Sequence, residues 1–334
     1  MIVTNSLTGG GAERSMNLIS NELFSRGWPV TLVVINSGPP DQITPLCEMI
    51  SLDRQWKGGV IETLRAIFKF NRVVRQSNPG VIFLNCDLPE LFGALLFSKR
   101  KIVVIEHSSR PWVHRRWMGI VIRFWLKINR SRWAAVSSHL HIWPFNIDPD
   151  FILPNMVARS KPIELEIRTK SISRLIFIGR LSFEKRPELA IEVAIGSNLE
   201  LEVIGEGILR ATLEEQAKFA TRLITFKGHI SKPWDLIRSG DLLVATSLFE
   251  GDGLVIIEAL QANVPMLLID IPDFRRFGFP EENYCLGVDD FIAKIYTHKE
   301  NLEELLIPAD IRRAILQERL EDNIVKTWER AIRD

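Results

Sequence analysis

The chain has 334 residues, of which 46% are hydrophobic and 25% charged, and its formal net charge is +1. That length exceeds what one hydrophobic core usually supports and the composition is ordinary for a globular protein, so two domains with sizeable cores are expected. The balanced charge argues against a general nucleic-acid binder, and three cysteines (Cys47, Cys86 and Cys285) far apart and without CxxC spacing argue against a disulfide framework or zinc site.

Met1 to Thr4 enters directly into a strand, without the basic and apolar regions of a signal peptide, and no apolar run reaches membrane-span length. A reducing cytoplasm is the expected compartment. The first strand is followed by Gly9-Gly10-Gly11-Ala12-Glu13-Arg14 and by a helix marked by Met16, Ile19 and Leu23. This strand, glycine loop and helix unit lacks the spacing of a dinucleotide fingerprint, so the glycines serve either a tight turn or ligand contact. Val30 to Ile35 and Glu48 to Leu52 read as strands, Val60 to Arg75 as a helix, Val81 to Leu84 as a buried strand, Leu88 to Phe97 as a helix and Lys101 to Ile105 as a strand. Apolar strands alternating with amphipathic helices predict a parallel sheet covered on both faces. His107 stands at the C-terminal end of the last of these strands, the end at which open α/β sheets bind ligands.

Between Glu106 and Asp148 the chain has no acidic residue. The interval carries Arg115, Arg116, Arg123 and Lys127 interleaved with Trp112, Trp117 and Trp125, and the helix before it adds Arg65, Lys69, Arg72 and Arg75. Cations beside tryptophans on a helix suit the interface of an anionic bilayer, so these residues are expected to meet a membrane surface. The alternative is a solvated basic face with its tryptophans in the core.

A polar, proline-punctuated stretch from Arg159 to Ser171 has linker character. Beyond it the rhythm restarts: a strand at Arg174 to Ile178, a helix from Pro187, a strand at Leu199 to Ile204, the Gly205-Glu206-Gly207 turn, strands at Leu223 to Phe226 and Asp241 to Ala245, a helix from about Gly253, a strand at Pro265 to Ile269, and a last helix from Ile311 to Ile332. The expected fold class is α/β, with two doubly wound, Rossmann-like domains at 1–157 and 158–315 facing a central cleft, and a C-terminal helix in 316–334 that can cross back to the first domain.

Chemistry concentrates at the C-terminal ends of two strands in the second half. Arg180 and Lys185 follow the first, where a guanidinium fork and a compact ammonium suit a diphosphate and could neutralise the charge that grows on a diphosphate leaving group. Glu250 and Glu258 flank a Gly251-Asp252-Gly253 loop that opens a helix, and a glycine-rich loop before a helix exposes amides at the positive end of its dipole. Two carboxylates that accept hydroxyl hydrogen bonds beside an anion site fit a ligand that is both polyol and anion, as a nucleotide sugar is.

The order of these motifs, with Gly10-Gly11-Ala12-Glu13 near the N-terminus, Leu153-Pro154-Asn155 at the boundary, Ile178-Gly179-Arg180-Leu181 with Lys185, Gly205-Glu206-Gly207, and Ser247 through Glu258 followed by Ala259 and Val264-Pro265, resembles glycosyltransferase family 4 over nearly the whole chain. The resemblance implies a GT-B fold and a retaining hexosyltransferase that moves a hexose or N-acetylhexosamine from a nucleotide-diphosphate donor, UDP foremost, to a lipid-linked or oligosaccharide acceptor. It implies no cofactor and no metal requirement. By the same resemblance Arg180 and Lys185 bind the donor diphosphate, Glu258 the ribose hydroxyls and Glu250 the transferred sugar. Amides around Gly253 and Leu254 hold the sugar or phosphate, Gly10 and Gly11 approach the donor, and His107 sits near the sugar on the acceptor side. Bacterial surface-polysaccharide assembly on the inner face of the cell membrane is the setting it suggests. Two departures from the family pattern stand out: Asp252 replaces a usual aromatic, and Ile271-Pro272-Asp273-Phe274-Arg275-Arg276 replaces the usual paired glycines and glutamate. The rival functions are a degenerate glycan- or lipid-binding scaffold and a sugar-phosphate epimerase or phosphorylase of the same fold.

Overall fold

The computed structural model describes residues 1–7, 10–38, 43–56, 58–97, 99–158, 170–220 and 223–334. The chain divides into two compact units, one formed by Met1–Ala158 with Arg319–Asp334 and the other by Arg159–Glu318.

In the first unit the order is β1 (Ile2–Thr4), α1 (Gly11–Ser25), β2 (Thr31–Asn36), β3 (Glu48–Arg54), α2 (Val60–Ser77), β4 (Val81–Asn85), α3 (Asp87–Ala94), β5 (Lys101–Glu106), α4 (Arg116–Ile128), β6 (Arg132–Ala135) and β7 (Phe151–Ile152). Among the described residues these strands form one parallel sheet in the order β3-β2-β1-β4-β5-β6-β7. Every residue of β4 is buried, and so is nearly every residue of β2 and β5. A strand buried on both faces needs apolar residues at consecutive positions rather than alternate ones, which is why VIFLN and KIVVIE read as continuous runs. The edge strand β3, EMISLDR, has a single buried residue, Leu52.

The second unit has β8 (Arg174–Ile178), α5 (Pro187–Ser197), β9 (Glu200–Ile204), α6 (Arg210–Gln216), β10 (Ile224–Gly228), β11 (Asp241–Ala245), α7 (Leu254–Ala262), β12 (Met266–Ile269), α8 (Pro272–Arg275), β13 (Tyr284–Cys285), α9 (Val288–Thr297) and α10 (Ala309–Glu318). Its parallel sheet runs β10-β9-β8-β11-β12-β13. At the N-terminal edge of this sheet Arg174, the first residue of β8, reaches both neighbouring strands: its guanidinium donates to Asp241 on β11 at 2.8 and 2.6 Å and to Glu202 on β9 at 2.5 Å. One buried cation thereby pins the register of three strands.

The expected single helix over Ile311 to Ile332 is two, α10 and α11 (Glu321–Arg333), divided at Arg319-Leu320. Leu320 is extended, with ψ at 137°, and its carbonyl accepts the Ile324 amide that starts the second helix. The break is where the chain passes from the second unit to the first. There Trp328 is fully buried against Phe83 of β4, with ring centroids 5.0 Å apart, and α11 packs on α1.

The basic, tryptophan-rich stretch is helical only from Arg116. Arg115, Arg116, Trp117, Trp125 and Lys127 are exposed, but Arg123 and Trp112 are not at any surface. Arg123 is 1% exposed and donates to Glu90 at 2.8 and 2.5 Å, to Glu106 at 2.5 Å and to the Trp143 carbonyl at 2.7 Å. Trp112 lies against Gly119, where a Cβ would come within 2.4 Å of the indole, and its Nε1–H donates to Glu90 at 2.8 Å. These two residues are core rather than membrane contacts. Their acidic partners come from α3 and the last residue of β5, outside the acid-free interval, so the missing countercharge was supplied across the fold.

Candidate active site

In the second sheet the chain leaves β8 for β9 and β10 in one direction and takes β11, β12 and β13 in the other, so the strand order reverses between β8 and β11. Loops after adjacent strands at such a reversal diverge to opposite faces and leave a crevice outside the strands' carboxyl ends. The loop after β8 carries Arg180 and Lys185, and the loop after β11 carries Glu250.

Backbone contacts fix the two loops together. Thr246 Oγ1 donates to the carbonyls of Lys185 at 3.0 Å and Arg186 at 2.9 Å, and the Leu248 amide donates to the Glu184 carbonyl at 2.8 Å. Arg186 takes a left-handed conformation, φ 48°, and Pro187 then starts α5. The result is that Lys185 Nζ lies 2.5 Å from Glu250 Oε1, which also accepts the Ser247 hydroxyl at 2.7 Å. Glu250 is buried and Lys185 a quarter exposed, so the pair is reachable from one side. Arg180, on the same loop, is about half exposed with Glu184 3.8 Å away.

The glycines of Gly205-Glu206-Gly207 have a steric cause. The loop after β9 presses on the loop after β8: Gly179 N–H donates to the Ile204 carbonyl and Leu181 N–H to the Glu206 carbonyl, at 3.0 and 2.9 Å. A Cβ on Gly205, which has φ +148°, would lie 1.8 Å from the Gly179 carbonyl oxygen, and one on Gly207 2.2 Å from that of Leu181. Only glycine allows that approach. The motif sets the path of the loop after β8.

Gly253 is left-handed, φ 59°, and opens the nine-residue α7 without a side-chain cap. The first amides of α7, from Leu254 onward, therefore stand at the positive end of the helix beside Glu250. Glu258, on the second turn, accepts the indole N–H of buried Trp234 at 3.0 Å. Lys185 and Glu250 are thus paired just ahead of the helix start at Gly253 and Leu254, with Arg180 on the Lys185 loop and Glu258 one turn further along α7: cations, two carboxylates and a helix N-terminus. Such a set can hold a diphosphate and accept hydrogen bonds from sugar hydroxyls. Among the described residues no group of three or more His, Cys, Asp or Glu is placed to hold a metal ion.

Gly10, Gly11 and His107 lie in the first unit. Gly10 is the extended N-cap of α1 and Gly11 its first residue, beyond β1; His107 follows β5, half-buried. Thr8 and Gly9 lie outside the described residues. Beneath His107, Glu106 shares Arg123 with Glu90, and burial raises its carboxyl above the ordinary value. Asp87, which accepts the Trp112 amide at 3.1 Å, is pushed up to about 7 by burial and by the Glu90 charge.

Sequence reasoning missed four contributors here: Thr246 and Ser247, which seat Lys185 and Glu250, and Asp273 and Arg276, which hold the Glu250–Gly253 loop. Asp273 accepts the Glu250 amide at 2.8 Å, and Arg276 donates to the Asp252 carbonyl at 2.7 Å. The available signal was the pair of departures from the family pattern, an acid at 252 and a base at 276.

Residues 165–285 match the family described as Glycosyl transferases group 1. A poly(ribitol-phosphate) α-N-acetylglucosaminyltransferase of Staphylococcus aureus is 27% identical over 78% of the chain, which spans only 55% of that protein's length. The amylovoran biosynthesis glycosyltransferase AmsD of Erwinia amylovora is 21% identical, covering 95% of this chain and 92% of AmsD. Among solved structures, Anabaena Alr3699/HepE in complex with UDP and glucose superposes with a TM-score of 0.78 at 16% identity, over 100% of this chain and 98% of that one. By fold over its length the chain is a two-domain, Rossmann-like GT-B protein, and the sequence match to the glycosyltransferase group 1 family falls within its second unit.

Proposed function

We propose that this chain is a retaining hexosyltransferase that takes a hexose or N-acetylhexosamine from a nucleotide-diphosphate sugar, UDP being the expected nucleotide, and transfers it to a lipid-linked or oligosaccharide acceptor in bacterial surface-polysaccharide assembly. The observation that carries the reading is the Lys185–Glu250 pair, 2.5 Å apart at the reversal between β8 and β11 beside the uncapped start of α7. The Staphylococcus and Erwinia relatives, both named as glycosyltransferases, and the UDP and glucose of the Anabaena neighbour are consistent with it.

In this reading Lys185 and Arg180 hold the diphosphate, whose charge rises as the bond from the anomeric carbon to the phosphate oxygen breaks. The acceptor hydroxyl attacks from the same face, forms the new glycosidic bond and passes its proton to the departing phosphate oxygen, so configuration is retained without a separate protein base. Glu250 accepts hydroxyl hydrogen bonds from the transferred sugar and Glu258 from the ribose. The Gly253 and Leu254 amides face the phosphate or the sugar. No metal is required in this scheme. The test is release of nucleoside diphosphate from a panel of UDP- and GDP-sugars by the purified chain. Glu250→Ala is expected to lower it at least a hundredfold, and equal release by both proteins refutes the assignment.

The same proposal places the protein peripherally on the cytoplasmic face of the membrane, which gives access to a lipid-linked acceptor. Among the described residues no helix is long and apolar enough to cross a membrane. Instead α4 exposes Trp117, Val121, Phe124, Trp125 and Ile128, flanked by Arg115, Arg116 and Lys127. The helix α2 exposes Val60, Ile61, Leu64 and Phe68 beside Arg65, Lys69, Arg72 and Arg75. The β3-to-β4 and β5-to-β6 crossovers run the same way along the sheet, so right-handed connections put both helices on one face. Apolar stripes bordered by cations on a shared face suit an anionic bilayer. Trp117→Glu with Trp125→Glu is expected to release the protein from anionic vesicles while nucleoside diphosphate release persists; unchanged vesicle binding refutes the docking.

A further inference from the structure

Asp252 and the Ile271–Arg276 segment, the two places where the sequence leaves the family pattern, are in contact. The loop after β12 lies beside the loop after β11 because the two strands are neighbours. Pro272 starts the short helix α8, which is anchored from behind by Arg275, donating to Asp270 at 2.6 and 2.8 Å and to Glu281 at 2.5 Å. From this anchored segment three side chains reach the Glu250–Gly253 loop. Asp273 Oδ2 accepts the Glu250 amide at 2.8 Å. Arg276 Nη2 donates to the Asp252 carbonyl at 2.7 Å and approaches the Asp252 carboxylate at 3.3 Å, while its Nε donates to the Asp273 carbonyl at 3.1 Å. The ring of Phe277 stands where a Cβ on Gly253 would come within 3.3 Å, and the Arg276 guanidinium lies over that ring at 4.2 Å.

From these contacts we infer that Arg276, with Asp273, is a positioning residue of the donor loop: a charged clamp that fixes the direction of the Glu250 side chain and of the first amides of α7. This deepens the proposed function and rests on it. The loop bends sharply, with a left-handed Gly253 at its end, and both its glycines lack side chains that could pack it in place. Its backbone therefore takes its geometry from outside hydrogen bonds. Asp252 is 2% exposed at its side chain and Arg276 17%, so the clamp is shielded from competing water. The shortest contact is to the Asp252 carbonyl rather than to its carboxylate, which predicts that removing the guanidinium does more harm than neutralising Asp252.

The test compares Arg276→Gln, Arg276→Lys and Asp252→Asn with the wild-type chain, by amide hydrogen exchange of residues 250–256 and by steady-state kinetics with whichever nucleotide sugar the wild type turns over. Arg276→Gln is expected to speed exchange in this loop at least tenfold and to raise the donor KM at least tenfold with kcat changed by less than threefold. Arg276→Lys is expected to recover part of both effects, and Asp252→Asn to alter KM by less than threefold. Unchanged exchange in Arg276→Gln overturns the clamp. Faster exchange with an unaltered donor KM overturns its positioning role and leaves Arg276 a purely structural residue. A wild-type chain that turns over no nucleotide sugar refutes the proposed activity, and the exchange comparison then decides by itself whether the clamp holds the loop.

Discussion

Replacing Lys185 by glutamine separates what this cation does for the fold from what it does for the chemistry. Its Nζ lies 2.5 Å from a Glu250 carboxylate that is nearly buried. Removing the cation leaves that carboxylate with the Ser247 hydroxyl at 2.7 Å, so the stability loss is that of one charge-assisted hydrogen bond, about 1–3 kcal/mol. Loss of a preorganised positive group at a departing diphosphate costs roughly 3–4 kcal/mol of transition-state stabilisation, on the order of a hundred- to a thousandfold in kcat. The double variant Lys185→Gln with Glu250→Gln should regain most of the lost stability, since no uncompensated buried charge remains, yet stay inactive. Urea melts and nucleoside diphosphate release on all four proteins form the double-mutant cycle. Transfer by Lys185→Gln within threefold of wild type would show that the ammonium serves only the loop and would refute its place at the leaving group.

Arg123→Met is expected to destabilise the first unit by about 3–5 kcal/mol in denaturant melts, because Glu90 and Glu106 would be left buried without their cation; a loss below about 1 kcal/mol would contradict the buried network. Asp87 holds its proton up to about pH 7 in the folded chain, against an ordinary value of 3.8. The stability it contributes is therefore complete only below the ordinary value of 3.8 and is lost as pH rises from there through about 7. The melting temperature of Asp87→Asn should accordingly fall less than that of the wild type between pH 5 and pH 8, and parallel profiles would rule this out. Gly205→Ala places a methyl group on the Gly179 carbonyl and is expected to cost more than about 3 kcal/mol and to lower donor affinity, read by melting and by UDP-induced thermal shift; a wild-type melt would show that the loops are not in contact.

Much of this molecule is local and therefore legible in one dimension. Runs such as VIFLN and DLLVA are buried at every residue, and a parallel strand covered on both faces leaves that signature wherever it occurs. The strand, loop and helix rhythm also fixed which residues lie at the C-terminal ends of β8 and β11, so Lys185 and Glu250 could be named before any geometry was known. Boundaries were less legible: the break at Leu320 involves no glycine and has no proline beside it, and it falls where the chain changes units.

What the order of residues could not convey was the partner of each charge. An acid-free interval made Arg123 look like a membrane-surface contact, and only the packing of α3 and β5 against α4 brought Glu90 and Glu106 to it. Asp252 and Arg276 were visible as oddities, but only the pairing of β11 with β12 set their loops side by side. Helix and strand periodicity is written in neighbouring residues, whereas a buried charge is compensated through space, by groups whose separation along the chain carries no information about their distance.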